Sequence, residues 1–289
     1  MTYLFALLAA LANAASLSMQ HVASTSGPPR AKGWRLVAYL AGNPLWLLGW
    51  IALFAAFVFQ GLALHLGLLS VVQTLLITEL VFGLVLRKVW IRQRVGPTAW
   101  AAAAVTCAAM GVFLAVTEPR GGNPQPTSGA WASSIIACVV AVGALALIGT
   151  RGTPSWRAAS FAIASGITWA LEATFIKALT DVLATEGVGG TFSHWPLYAV
   201  IAGGVVGNLL MQVALHVGPL KISQPLMVIV DPIVAIVLAV HLFQEHFVGG
   251  TGVLAIGAVA FAVMCASLVA LTAALPDTLD RPVPETPAG

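Results

Sequence analysis

Charge is what this chain has least of. Asp, Glu, Lys and Arg make up 8% of its 289 residues, against roughly 25% in a typical soluble domain. That shortage excludes an ordinary water-soluble fold, because the apolar runs are too many and too long to share one aqueous core. Cysteine is nearly missing too. Cys107, Cys138 and Cys265 are odd in number and form no Cys-x-x-Cys pair, so neither a disulfide framework nor a zinc site is supported. They read as small packing residues. No G-x-x-x-x-G-K-[ST] loop occurs, so ATP does not drive this chain directly. No Lys or Arg precedes the first apolar run, which argues against a cleaved signal peptide although Ala12-Asn13-Ala14 resembles its cleavage site. No basic domain exists either: the net charge of +3 is scattered over loops, which excludes nucleic acid as a partner. No cofactor is implied.

What remains is a series of apolar runs, each near the roughly 20 residues that cross a bilayer as a helix. Lipid offers no partner to backbone N–H and C=O groups, so helices are expected. The period-2 alternation of a membrane barrel is missing. The fold class is therefore all-α, a polytopic membrane protein, and the lipid bilayer is its first partner. Nine spans are expected: Thr2 to His21, Asn43 to Leu64, Gly67 to Leu86, Pro97 to Thr117, Gly129 to Gly149, Trp156 to Leu179, Trp195 to His216, Pro219 to Leu242 and Gly250 to Ala273. Gly and Pro clusters at 26–29, 120–126 and 152–154 mark linkers. The Pro-rich tail from Leu275 is expected to be disordered.

The cations orient these spans. Eleven of the thirteen (Arg30, Lys32, Arg35, Arg87, Lys88, Arg92, Arg94, Arg151, Arg157, Lys221 and Arg281) fall on one side of a nine-span chain. Arg120 alone lies opposite, and Lys177 lies within span six. The positive-inside rule predicts a multi-pass protein of the plasma membrane with its N-terminus outside and its C-terminus cytoplasmic.

An internal repeat supplies the strongest clue. The run from Ala63 to Leu75 matches the run from Ala214 to Leu226 at seven of thirteen positions, including His65 with His216, Gly67 with Gly218 and Gln73 with Gln224. Spans one to four thus pair with spans six to nine, and span five connects them. Five spans separate partner helices, so the copies face opposite ways. Inverted-topology repeats of this kind give alternating access around a midplane site. The expected units are a first repeat at 1–117, a connector with span five at 118–155, a second repeat at 156–274 and the tail at 275–289.

These residues resemble the drug/metabolite transporter superfamily, EamA-type. The resemblance rests on Asn43-Pro44-Leu45-Trp46-Leu47-Leu48-Gly49, on the two Ala-Leu-His-x-Gly-x-Leu-x-x-x-Gln segments, and on Gln224-Pro225-Leu226 with Val230-Asp231-Pro232 and Leu242-Phe243-Gln244-Glu245. It covers nearly the whole chain apart from the tail. Members commonly have ten spans; nine with an outside N-terminus looks more like the NIPA branch of magnesium transporters. The resemblance implies passage of a small metabolite, drug or cation.

A carboxylate at the bilayer centre costs about 3 kcal/mol by insertion scales, so each needs a reason. Glu79, Glu172 and Asp231 lie near the middle of spans three, six and eight and form the best candidate constellation. Such groups can bind a proton or cation and lose it on the other side; holding helices together is the alternative use. Asp231 and Glu79 are the candidate ligands if the cargo is a cation. Lys177 follows Glu172 by five residues, on a different helix face, and is expected to snorkel outward or to meet Glu79 or Asp231. Gln73 and Gln224 suit either cargo contact or a helix–helix bond. Trp169 suits stacking on an organic cation or packing. Asn13, Gln60, Asn208 and Gln212 are expected as packing bonds, and His65 and His216 as span ends. Pro225 and Pro232 should bend span eight. Gly203 and Gly207 mark a close helix contact, within the fold or in a homodimer. The segment from His241 to His246 has its histidines five apart, off one face, so it reads as a span end and not a zinc motif.

The expected function is a secondary transporter, not an enzyme. An intramembrane enzyme would need a nucleophile–base or metal pair that no spacing supplies. A scaffold would not require buried carboxylates in both halves.

Overall fold

The computed structural model describes residues 1–25, 41–92, 95–123 and 125–274. The tail beyond 274 and the cations Arg30, Lys32, Arg35, Arg94 and Arg281 lie outside these residues. Helices α1 (Thr2–Thr25), α2 (Pro44–Leu66), α3 (Leu69–Leu76), α4 (Thr78–Val89), α5 (Pro97–Thr117), α6 (Ser128–Ile148), α7 (Pro154–Thr191), α8 (Trp195–Val217), α9 (Leu220–Leu242) and α10 (Thr251–Ala273) follow in order. Among the described residues, nine segments are long and apolar enough to span a membrane, with α3 and α4 sharing one. The chain is an integral membrane protein.

Local chemistry sets the boundaries. Asn43 caps α2, its side-chain oxygen accepting from the Leu45 and Trp46 amides, and Thr127 and Thr153 cap α6 and α7 in the same way. Proline opens α2, α5, α7 and α8, where its missing N–H is harmless. Span six runs longer than expected. The sequence predicts its end at Leu179, whereas α7 continues to Thr191, broken only at Gly187 with φ 71. Polarity rises from Asp181, yet no residue stops the helix before that glycine.

The spans pack as antiparallel pairs. Along α1 and α2, Gly49 lies against Ser16 and Gln20, while Gly67 lies against Thr2. Along α7 and α8, Gly203 lies against Glu172, Gly207 against Trp169 and Gly218 against Pro154. In the third pair, Gly257 of α10 meets Thr117 of α5, and the Thr106 and Ser267 hydroxyls are 2.8 Å apart. Helix α7 lies at the centre, its face burying Ile167, Leu171, Phe175 and Leu179 against α3, α6 and α9. Outward faces are apolar: Phe54, Val140 and Val259 are at least 63% exposed. Exposed apolar surface of that extent requires lipid around it.

Two short strands add a feature absent from the all-helical expectation. β1 (Pro119–Gly121) pairs antiparallel with β2 (Glu245–Phe247), placing Gly121 opposite Glu245. The pairing ties the exit of α5 to the loop between α9 and α10. Loops after spans two, four and eight, and the upper part of α7, thus gather at one end of the bundle. At the other end, Arg157 Nε donates to Gly149 O at 3.2 Å.

Candidate functional site

The break in span three decides where its carboxylate stands. The Thr74 hydroxyl donates to Ser70 O and the Thr78 hydroxyl to Leu75 O, both at 2.7 Å. Such back-bonding competes with the helical ladder, and the interruption at Ile77 falls between the two threonines. Ile77 keeps helical angles, φ −55 and ψ −27, so α3 runs directly into α4 and Glu79 lies in its first turn. The Asn13 side-chain amide on α1 donates to Glu79 Oε2 at 2.7 Å. Asn13, expected as a packing residue, belongs to a candidate carboxylate.

Asp231 sits on α9 directly before Pro232. Its Oδ1 is buried and has no hydrogen-bond partner among the described residues. Ile77, at the break, shares an apolar cluster with Val228 and Ile229, two turns of chain or less from Asp231. Glu172, on α7, fits against two glycines of α8; a Cβ on Gly204 would stand 3.1 Å from its Oε1. Asp231 lies within electrostatic reach of both Glu172 and Glu79. Helices α4, α7 and α9 thus bring three acids into one field, which any proton or cation joining them would relieve. Among the described residues, no group of three or more His, Cys, Asp or Glu side chains is placed to hold a metal ion.

The other candidates separate from this group. Lys177 is only 8% exposed and neither snorkels nor meets Glu79 or Asp231. Its Nζ donates to Leu64 O at 2.8 Å and to Gly67 O at 2.6 Å, and lies 5.4 Å from the centre of the Phe243 ring. Carbonyls at a helix end lack intrahelical partners, and these lie within the ammonium's reach. Gln73 is buried whereas Gln224 is exposed, so equivalent positions do not share an environment. Trp169 packs on Gly207. The glycines of α8 are therefore taken up by α7 within this chain, and Asn208 Nδ2 bonds back to Gly204 O at 2.8 Å. His65 ends α2, as expected, and its Nδ1 stands 3.1 Å from Asp181 Oδ1. Cys107, Cys138 and Cys265 are free thiols in α5, α6 and α10.

Glu245 is the residue that sequence reasoning missed. The segment containing it reads as a surface span end, yet Glu245 is 2% exposed. Its Oε1 accepts from the Leu69 amide at 2.6 Å, and its Oε2 from the Ser70 amide at 3.1 Å and the Ser70 hydroxyl at 2.6 Å. One local signal points to it: the residue before α3, Leu68, offers no capping side chain, so the first amides of α3 need an acceptor from elsewhere.

No family model matches the chain, and no solved structure matches it. The chain is similar to an uncharacterized protein of Corynebacterium glutamicum, 28% identical over 205 residues that cover 71% of each chain. That relative's name carries no activity, so the functional reading rests on geometry.

Proposed function

We propose that the chain is a secondary transporter of the drug/metabolite type, a permease moving a small metabolite, drug or cation across the plasma membrane by alternating access. The observation that carries the proposal is Asp231, with one oxygen buried and unpartnered and with Glu172 and Glu79 of two other helices within electrostatic reach. An uncompensated acidic group inside an apolar bundle is costly, and exchange of a proton or cation there gives it a use. The driving force is then an ion gradient. Two inverted repeats are supported by matching packing: α1 lies along α2 as α7 lies along α8, while spans four and nine, each other's repeat partners, pack together. The cation distribution supports an outside N-terminus and a cytoplasmic C-terminus.

A second reading, magnesium transport as in the NIPA branch, is favoured by the nine spans found among the described residues. Mg²⁺ keeps several of its waters, which agrees with acids grouped too loosely to strip an ion. The test is flux into proteoliposomes of the purified chain, screened with Mg²⁺, amino acids and organic cations, with and without a pH gradient. Uptake of at least one is expected. A folded protein that neither binds nor moves any of them removes the transport reading.

A further inference from the structure

The two-residue reversal between α2 and α3, Gly67 and Leu68, leaves two sets of backbone groups without helical partners: the last carbonyls of α2 and the first amides of α3. Both sets are satisfied from distant parts of the sequence. Lys177 of α7 binds the carbonyls of Leu64 and Gly67, and Glu245 of β2 binds the amides of Leu69 and Ser70 together with the Ser70 hydroxyl. Each charge matches the helix end it meets, a cation at a C-terminus and an anion at an N-terminus. All of these residues but the half-buried Gly67 are buried: Leu64 and Ser70 are 0% exposed, Glu245 2% and Lys177 8%. His65 adds a third link across the same corner, to Asp181 of α7. β1 and β2, with Val248 N donating to Thr117 O at 2.9 Å, brace the loop that carries Glu245.

We infer that Lys177 and Glu245 form a releasable clasp that closes this end of the bundle, the predicted outer end, over the carboxylate group. The inference rests on the transport reading, and it assigns a gating role to two charges that the proposed binding site does not use. Two features make the clasp a switch and not only a brace. It joins the N-terminal half of the chain, at the start of the broken span three, to the C-terminal half; parting the halves at this end must break it. Its charges also have somewhere to go. Lys177 lies within electrostatic reach of Glu245, so on release the two can pair with each other and neither is stranded in lipid. At the corresponding corner of the other end, Gly218 lies against the Pro154 carbonyl and the Ala158 methyl group of α7.

The experiment uses the full chain in proteoliposomes or cells, with Cys107, Cys138 and Cys265 replaced by Ala and a reporter cysteine at Ile77, the buried break beside Glu79. A membrane-impermeant thiol reagent is added to one face at a time. Glu245→Gln removes the charge and should raise labelling from the clasp face by about tenfold, as expected for loss of a buried charge-assisted bond. Labelling from the opposite face should not rise. Ser70→Ala removes only the hydroxyl bond and should give a smaller increase of the same sign. It decides the matter if Glu245→Gln does not fold. Labelling from the clasp face at the parent rate in every folded variant, with the reporter still reached from the other face, overturns the clasp alone. A reporter unreachable from both faces in all proteins overturns the transport reading and the clasp with it.

Discussion

Asn13 on α1 donates its side-chain amide to Glu79 on α4, 66 positions away, at 2.7 Å. The bond lies just past Ile77 in span three, so the first span is part of the carboxylate's environment. It also divides the three acids by circumstance. Glu79 has a fixed donor, Glu172 has glycines that make room for it, and Asp231 has a buried oxygen with no donor. Asp231 is the group with most to gain from a proton or cation.

Asn13→Ala should therefore weaken the protein modestly and disturb Glu79. A hydrogen bond to a charged group contributes about 1.5–3 kcal/mol, and interhelical bonds in membranes average about 0.6, so a loss of about 1 kcal/mol is expected. Thermal melting in detergent measures it. Equal melting of variant and parent would mean that the amide does not hold this carboxylate.

Asp231→Asn should abolish flux without harming assembly. The buried oxygen makes no hydrogen bond to lose, so removing the charge leaves the helix contacts intact while removing the exchangeable site. Uptake at least about tenfold lower is expected, at unchanged expression and gel-filtration profile. An aggregated variant would assign the carboxyl to structure instead.

Most of the helical frame was legible because membrane spans declare themselves by length and apolarity. Pro97–Thr117 agrees with its expected range at both ends, opening on proline and closing at Glu118 in a left-handed conformation with φ 34. Hydropathy marks where lipid ends and not where a helix ends, which is why α7 outran its expected boundary. Pairings across the sequence were beyond reach. Glu245 meets groups 175 and 176 positions earlier, and nothing near it distinguishes a buried cap from a surface acid. Lys177 was legible as a charge needing a partner, but the partner is backbone, which carries no sequence mark.

Gly207 should tolerate no larger residue while Trp169 faces it. A Cβ there would stand 2.7 Å from the ring atoms Cδ1 and Nε1 of Trp169, closer than any packed contact allows. Gly207→Ala is expected to cost about 1–3 kcal/mol by overpacking. Combining it with Trp169→Leu should recover part of that loss, since contacting residues do not add independently. Strict additivity of the two substitutions in thermal melting would show that the pair does not touch.

Alternation of the loops can be checked residue by residue in intact cells. The β1–β2 pairing and the His65–Asp181 contact place Arg120 and the upper part of α7 at one end. The last turn of α4 and the turn into α7 are expected at the other. With the native cysteines replaced, an impermeant thiol reagent should label Arg120→Cys and Glu186→Cys directly. Lys88→Cys and Arg151→Cys should react only after the membrane is permeabilised, if the cation-rich loops follow the positive-inside rule. The opposite labelling of both pairs would keep the nine-span order and reverse its orientation. A split within either pair would break the order itself, and with it the inverted relation between the halves on which alternating access depends.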